Sequence, residues 1–170
     1  EAISGFRYVN GFPGQAPVRP NLSLGDTISG LHAVLGILMA LRSRDQGNQG
    51  QVVDVALYES MFNLLEAVVP EYDGAGEIRE PSGTTVTGIV PTNTYECNDG
   101  KFLVIGGNGD SIFTRLMHAI GRTDVAEDST YATNADRVIH QDFLDEMLKD
   151  WCRKHSIKEA MSILEESRVP

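Results

Sequence analysis

The sequence predicts a soluble α+β fold, and three observations along its 170 residues support that prediction. Residues 28–41 form a long apolar stretch with helical spacing. Residues 92–105 contain two short β-prone segments joined by a turn signal, and residues 134–166 are helical in pattern. Strands and helices occupy separate parts of the chain instead of alternating, so the pattern favours an α+β architecture.

The long helix is expected to open at Ser23–Asp26 and to stop at Gly47. Its apolar residues follow the i, i+3, i+4, i+7 rule, at Ile28, Leu31, Val34, Leu35, Leu38 and Leu41. The second half is apolar all round, which predicts a deeply buried core helix. The apolar run contains a histidine and two glycines, and its length predicts no membrane span.

The middle of the chain has a less regular pattern. Residues 52–57 predict a short strand or extended segment. Glu59 to Val69 predict a second apolar helix that Pro70 closes, and residues 72–92 are polar and glycine-rich, which predicts a mobile loop.

The hairpin and the helices after it are marked by local signals. Asn98-Asp99-Gly100 is a turn signal between the two β-prone segments. We expect helices over 111–120 and 134–154, and a last helix that Ser156 and Glu159 open as a capping box.

The composition excludes some classes of partner. The formal net charge of −10 argues against nucleic acid or an anionic membrane. Cys97 and Cys152 are far apart in sequence and form no metal or redox motif, and no targeting segment is visible. We therefore expect a reducing compartment, the cytoplasm, or the mitochondrion if the protein is eukaryotic. The missing initiator methionine and the abrupt end at Pro170 lead us to expect a piece of a longer protein.

Asp26 is the first candidate for chemistry. A carboxylate in the first turn of a helix is kept ionised by the positive helix end, and Gly25 beside it leaves room for an incoming carbonyl. The other interpretation is a capping-box variant over Ser23–Asp26, in which Asp26 only satisfies a free backbone amide. Local spacing alone favours this capping role.

Other candidate sites are weaker. Gly106-Gly107-Asn108-Gly109 resembles a phosphate cradle in outline, but it lacks the lysine and the spacing of nucleotide-binding loops. A tight turn in which Asp110 or Ser111 caps the next helix is favoured. The four histidines form no cluster, so no metal site is expected.

Two longer segments resemble a known family. Residues 21–41, NLSLGDTISGLHAVLGILMAL, resemble the helix that carries the catalytic aspartate of class III CoA-transferases of the CaiB/BaiF type. Residues 50–60, GQVVDVALYES, resemble the family's G-Q-x-V-D-V segment, and residues 95–107 and 113–121 resemble its small domain. This combination is far more specific than local spacing and makes Asp26 the expected nucleophile.

The resemblance implies a fold and an assembly. Members are interlaced homodimers in which a large Rossmann-like domain encloses a small α/β domain. The chain then corresponds to a central fragment: residues 1–70 would be the aspartate helix and linker of the large domain, and residues 71–170 most of the small domain. The segment that makes most CoA contacts in the family has no counterpart here, which would reconcile an acidic chain with an anionic substrate.

The resemblance also implies the reaction. Coenzyme A passes from an acyl-CoA thioester to a small carboxylic acid through covalent intermediates on Asp26, with CoA as substrate and no permanently bound cofactor. Residues 83–88 stand where the family has a glycine-rich loop over the active site, but threonines replace the glycine run of formyl-CoA transferase. Threonine hydroxyls suit a dicarboxylic acid such as the succinyl group. The expected substrate-binding residues are Gly25, Gly83, Thr84, Thr85 and Gly88.

Two alternatives stay open. The family includes α-methylacyl-CoA racemases, which use a histidine from an upstream segment together with the aspartate, and Asp110 falls near a further acidic residue of that branch. Alternatively, the chain as given is a non-catalytic dimerisation module, because an apolar helix over 28–41 that nothing covers would expose an apolar surface suited to association.

Overall fold

The structure, a computed structural model, describes residues 1–170 and divides into two units, Glu1–Gly83 and Thr84–Pro170. Unit 1 is helical and unit 2 combines a hairpin with helices, so the α+β prediction is confirmed. The predicted domain boundary after residue 70 refers to the domains of larger enzymes and stays a prediction.

Unit 1 is built around one long helix, α1 (Leu24–Asp45), which extends beyond the predicted apolar run. Asp26 lies in its first turn, and Arg42 and Arg44 lie in its last turn, where their charges suit the helix dipole. The helix ends just before Gly47, as the sequence predicts.

The burial of α1 differs from the prediction. Ser29 is its only buried residue, and large apolar side chains along it face solvent, with Leu31 62% and Leu38 58% exposed. The periodic pattern correctly marks a surface that is suited to burial, but the other elements of this chain cover little of it. Burial depends on contacting partners and not on periodicity alone.

Helix α1 as a whole is longer than its apolar run over residues 28–41. With 22 residues it is long and apolar enough to cross a membrane by length and composition alone, which differs from the prediction of no span based on that run. The core helix of a large globular protein passes the same test.

The segment after α1 has no strand pairing. Residues 51–56 belong to no helix or strand, and Leu57, the last residue of the predicted segment, begins the next helix. Val53 packs so closely on α1 that a side chain at Gly36 would come within 2.6 Å of its Cγ1 atom. A glycine at that point of the helix therefore permits the close approach.

The predicted helix over residues 59–69 is broken in the structure. Helix α2 (Leu57–Phe62) continues as a short 3₁₀ turn (Asn63–Leu65) and stops at Glu66, whose φ is 50°. A new helix, α3 (Val68–Ala75), then begins. Pro70 lies in the first turn of α3, where its missing N–H has no intrahelical partner to lose, so the prediction that it closes a helix is wrong.

Unit 2 begins with irregular chain that leads into the predicted hairpin. Strands β1 (Thr92–Glu96) and β2 (Phe102–Gly106) pair antiparallel, with Thr92 opposite Gly106 and Glu96 opposite Phe102. Gly100 has a φ of 72°, which the turn requires, and the hairpin prediction is confirmed.

Five helices follow the hairpin: α4 (Asp110–Ala119), α5 (Thr123–Ala126), α6 (Asn134–Ile139), α7 (Gln141–Cys152) and α8 (Ile157–Glu166). The single helix predicted over 134–154 is two helices, because His140 adopts non-helical angles between them. The Ser156–Glu159 capping box at the start of α8 is confirmed. A second box, Thr133 with Asp136, opens α6 and was not predicted.

The helices of unit 2 close a hydrophobic core over one face of the hairpin. Its completely buried members include Ile105 of β2, Leu116 and Met117 of α4, and Leu144 and Leu148 of α7. Tyr95 of β1 is buried in the same core and donates a hydrogen bond to Asp145 at 2.6 Å. Unit 1, by contrast, buries only Met61 and Leu65 among its apolar side chains.

Cys97 and Cys152 lie together in the core of unit 2. Both are free thiols, and they contact each other as hydrogen-bonding neighbours, a pairing that their sequence separation hides. Burial, with a smaller contribution from Asp99, raises the pKa of the Cys97 thiol, and burial together with Cys97 raises that of Cys152 to about 12.

We therefore predict that iodoacetamide at pH 7.5 leaves both cysteines unmodified in the folded chain, because the thiolate is the reacting form. Mass spectrometry after alkylation, with a sample unfolded in urea as the control, measures this. Both thiols should react in urea, and rapid alkylation of Cys152 in the folded chain would contradict the burial described.

Candidate active site

Asp26 does not cap its own helix. Ser23 is the N-cap residue but makes no side-chain capping bond, and the Asp26 carboxylate has no hydrogen-bond or ion-pair partner in the chain. The Ser23 carbonyl accepts from the backbone N–H and the hydroxyl of Thr27 at 3.1 and 3.0 Å, and no side chain caps the free amides of the first turn. The capping interpretation of Asp26 is therefore wrong, and its carboxylate is exposed and unpaired in the chain.

The Asp26 pocket is a cleft of about 200 Å³ in unit 1. It lies at the N-terminus of α1 and is lined by Glu1, Arg7, Arg19, Ser23, Gly25, Asp26, Leu57 and Met61. The volume is below the 300–1,000 Å³ usual for sites that enclose drug-sized ligands. A pocket of this size is on the scale of a small acid.

Two guanidinium groups line this pocket. Arg7 Nε donates to Glu1 Oε2 at 3.2 Å, and Arg19 Nε lies 3.9 Å from the same oxygen. Arg19 also donates to the carbonyls of Pro20 and Leu22, each at 3.2 Å, which holds the turn before α1. The pocket therefore contains both carboxylates and cations, which suits an anionic substrate.

Gly25 lines the Asp26 pocket as predicted, but its backbone does not require glycine. A Cβ atom there would meet only the Met61 side chain, at an ordinary 3.6 Å. The space beside the carboxylate is thus bounded by an apolar side chain on one wall. Whether Gly25 contacts substrate stays a prediction.

Gly83, at the end of unit 1, has a structural requirement of its own. Its φ is 72°, and a Cβ atom would come within 3.0 Å of the Phe12 ring. Its N–H donates to the Gly11 carbonyl at 2.8 Å. Glycine is needed here for backbone geometry and close packing, whatever its role with substrate.

The predicted substrate-binding residues Thr84, Thr85 and Gly88 lie in unit 2, on a loop that is tied at both ends. Thr84 donates its hydroxyl hydrogen bond to the Asn93 side chain, and Thr85 is half-buried. Asn134 of α6 donates to the Gly88 carbonyl at 2.8 Å and accepts from the Val90 N–H at 3.0 Å. The mobility of this loop stays a prediction, and hydrogen bonds to Asn93 and Asn134 hold its two ends.

The Gly106–Gly109 segment is a turn, as the sequence favours. Gly107 N–H donates to the Pro91 carbonyl at 2.9 Å, and Gly109 is the N-cap residue of α4 without any side-chain cap. The predicted caps, Asp110 and Ser111, instead lie inside the helix. Asp110 accepts a 2.8 Å hydrogen bond from Arg137.

Arg137 organises this part of unit 2. Its side chain is fully buried. It donates to the carbonyls of Val90 at 3.0 Å, Tyr131 at 2.9 Å and Ala132 at 3.2 Å, and also to the carbonyl of Asn108. The guanidinium also lies 4.6 Å from the centre of the Phe113 ring. One cation thus joins the turn before α4 to the chain on either side of the hairpin.

No group of His, Cys, Asp and Glu side chains is arranged to hold a metal ion. His32, the histidine nearest to Asp26 in sequence, is half-buried and bonds the Ile28 carbonyl at 2.9 Å within α1. Its Nε2 atom lies 3.4 Å from the side-chain amide nitrogen of Asn63, so both ring nitrogens have partners, as the packed interpretation of that histidine expects.

Sequence reasoning missed three arginine side chains that shape these parts of the molecule. Arg7 and Arg19 lie in the turn-rich first twenty residues, where spacing carries no periodic signal. Arg137 follows a polar stretch of sequence, and such a pattern predicts a solvent-exposed charge. The only available signal was the pair of arginines shortly before the aspartate helix in a chain of net negative charge.

Comparisons of the sequence and the structure with known proteins identify related proteins. The chain is 39% identical over 170 residues to a succinyl-CoA–D-citramalate CoA-transferase of Chloroflexus aurantiacus, covering 100% of this chain and 42% of that protein. It is 35% identical over 170 residues to the alpha subunit of a succinyl-CoA–L-malate CoA-transferase of Chloroflexus aurantiacus, covering 99% and 40%.

A solved structure agrees with these relatives. A CaiB/BaiF family protein from Brucella suis superposes with a TM-score of 0.74 at 26% identity, covering 99% of this chain and 44% of that chain. The chain thus spans about two fifths of the length of the relatives it matches and corresponds to part of their larger fold. The model of CoA-transferase family III matches residues 1–170, and the chain therefore belongs to that family.

Proposed function

We propose that these residues belong to an enzyme that transfers coenzyme A from an acyl-CoA thioester to a dicarboxylic acid, with Asp26 as nucleophile. The observation that supports this most directly is the Asp26 carboxylate itself. It is exposed, has no internal partner, and lies in a small pocket with two arginines. An exposed carboxylate with no structural task is suited to nucleophilic attack.

The exchange divides into balanced steps on one side chain. An Asp26 oxygen attacks the donor carbonyl carbon, the C–S bond breaks, and CoA thiolate leaves an anhydride between Asp26 and the donor acid. The thiolate then attacks the Asp26 carbonyl carbon, which releases the donor acid as a carboxylate and leaves an aspartyl-CoA thioester.

The second half reverses these steps with another acid. The acceptor carboxylate attacks the Asp26 carbonyl carbon, thiolate leaves, and a second anhydride forms. Attack of the thiolate on the acceptor's acyl carbon frees Asp26 and completes the new thioester. No proton, electron or water enters the balance, so the thioester's free energy is conserved if water is kept out.

A dicarboxylic acid is the proposed substrate class. The two relatives described above are named for succinyl-CoA with D-citramalate or L-malate, and the free acids of all three, succinate, citramalate and malate, carry two carboxylates. The arginines of the Asp26 pocket supply charge that such acids need. We also propose that the threonine loop over residues 84–88 contributes to substrate binding, that the enzyme is a homodimer in the cytoplasm, and that it keeps no permanent cofactor.

The test is a coupled product assay with the full-length protein that includes this chain. Succinyl-CoA is mixed with L-malate or D-citramalate, and all CoA esters and free CoA are separated by chromatography. We expect the new CoA ester to appear in step with loss of succinyl-CoA and without free CoA. Release of free CoA alone would mean hydrolysis, and no change at all would mean another function; either result contradicts the proposal.

A further inference from the structure

The Asp26 pocket contains a cation whose hydrogen-bonding capacity is mostly unused. Only Nε of Arg7 is engaged, with Glu1 at 3.2 Å, and its two terminal nitrogens donate to nothing in the chain. The Arg7 side chain is 37% exposed. Arg19, by contrast, already donates two hydrogen bonds to backbone carbonyls. Arg7 therefore has two terminal nitrogens whose N–H groups are free, in the planar arrangement that matches the two oxygens of a carboxylate.

The charge of the pocket changes during the proposed reaction. With Asp26 ionised, the two arginines face two carboxylates, Glu1 and Asp26. Once Asp26 is an anhydride or a thioester it carries no charge, and two arginines then face Glu1 alone. In the anhydride the pocket therefore has an unbalanced positive charge. A second, unreacted carboxylate on the acid restores neutrality in that intermediate, which a monocarboxylic acid cannot do because its only carboxylate is part of the anhydride.

We propose that Arg7, assisted by Arg19, binds the distal carboxylate of the dicarboxylic substrate, the one that does not react. The inference rests on the proposed function and identifies which residues select its substrate class. The pocket volume of about 200 Å³ is on the scale of a small acid and lies below the 300–1,000 Å³ of sites that enclose drug-sized ligands. Arg7 fixes the non-reacting end while the other carboxylate meets Asp26.

This assignment competes with the threonine loop for the same role. The Thr84 hydroxyl already donates to Asn93, so its donor is not available to a second carboxylate. The terminal nitrogens of Arg7 are available and carry charge. The arginine is accordingly the stronger carboxylate ligand of the two candidates.

An internal competition experiment with the full-length protein tests the inference. Succinyl-CoA is the donor, and isotope-labelled succinate and butyrate, acids of equal chain length, compete as acceptors in one reaction. Because the donor step is common to both acceptors, the ratio of labelled products reports only acceptor selection. We expect wild-type protein to favour succinate strongly and Arg7→Gln to reduce that preference at least tenfold, through a higher KM for succinate.

Further variants separate selection from structural damage. Arg7→Lys keeps the charge but loses the planar pair of donors, and should fall between wild type and Arg7→Gln. Arg44→Gln, at the far end of α1 and paired only with its neighbour Asp45, should leave the ratio unchanged. A loss of succinate and butyrate transfer in equal measure in Arg7→Gln would assign Arg7 to holding Glu1 and overturn the inference.

Two other outcomes are equally distinct. If Thr84→Val removes the preference for succinate and Arg7→Gln does not, the threonine loop is the selector and the inference is wrong. If wild-type protein transfers CoA to neither acid nor to malate or citramalate, the proposed function fails before the inference is reached.

Discussion

An Asp26→Asn variant of the full-length protein is expected to lose CoA transfer by about 10⁴-fold or more, as when a nucleophile is removed from a covalent mechanism. Asparagine has nearly the same shape but its amide cannot form the anhydride. The folded structure should tolerate the change, because the Asp26 carboxylate makes no hydrogen bond or ion pair in the chain. The loss of a favourable charge at the helix N-terminus costs only about 0.3–1 kcal/mol.

The measurement is the initial rate of CoA exchange between succinyl-CoA and succinate, with circular dichroism to confirm folding. Asp45→Asn, at the opposite end of the same helix, is the matched control and should keep its rate. Since asparagine can revert to aspartate by deamidation, Asp26→Ala is measured alongside. In wild-type protein, hydroxylamine should trap the intermediate as a hydroxamate on the peptide that contains Asp26. An Asp26→Ala protein with a tenth of the normal rate would exclude the nucleophilic role.

The second large effect concerns stability. Arg137→Met is expected to destabilise unit 2 by about 3–5 kcal/mol, a large part of the stability of an ordinary domain. The methionine fills much of the volume but leaves the carbonyls of Val90 and Asn108 without their buried donor. It also removes the cation from the Phe113 ring.

Urea unfolding of the chain, followed by the fluorescence of its single tryptophan, Trp151 of α7, reports on this unit. Arg153→Met is the control, because Arg153 is exposed and its pair with Asp150 is 3.7 Å long. Exposed pairs contribute about 0–1 kcal/mol, so this variant should unfold almost as wild type does. Equal midpoints for the two variants would show that the buried network contributes no more than a surface charge.

The elements that the sequence predicts correctly are those governed by local interactions. The hairpin was predictable because Asn98-Asp99-Gly100 favours a turn and the flanking segments favour strands. The last helix was predictable because Ser156 and Glu159 satisfy its first backbone amides reciprocally. Such signals act over a few residues and need no knowledge of the rest of the fold.

The elements that failed depend on distant contacts or on one backbone angle. The stretch before α3 was predicted as one helix because periodicity does not reveal the positive φ of Glu66. The exposure of α1 was missed because an apolar pattern shows which surface is suited to burial but not what covers it. Arg137 was missed for the same reason, since its partners come from three separate stretches of chain.

The candidate site was predictable only in part. Asp26 emerged from the resemblance, while local spacing favoured a capping role that the structure contradicts. The arginines of its pocket could not be placed, because Arg7 and Arg19 lie in irregular chain whose path is set by turns and backbone bonds. Residues that assemble a pocket from loops leave no periodic trace in a sequence.

The exposed flank of α1 has a consequence for the solution behaviour of the chain. The helix that contains Asp26 leaves Leu31, Leu35 and Leu38 open to solvent in this chain. A contiguous apolar surface of this kind favours association with other protein surfaces. Any protein surface that binds the folded helix and covers this flank would therefore also raise the apparent stability of unit 1.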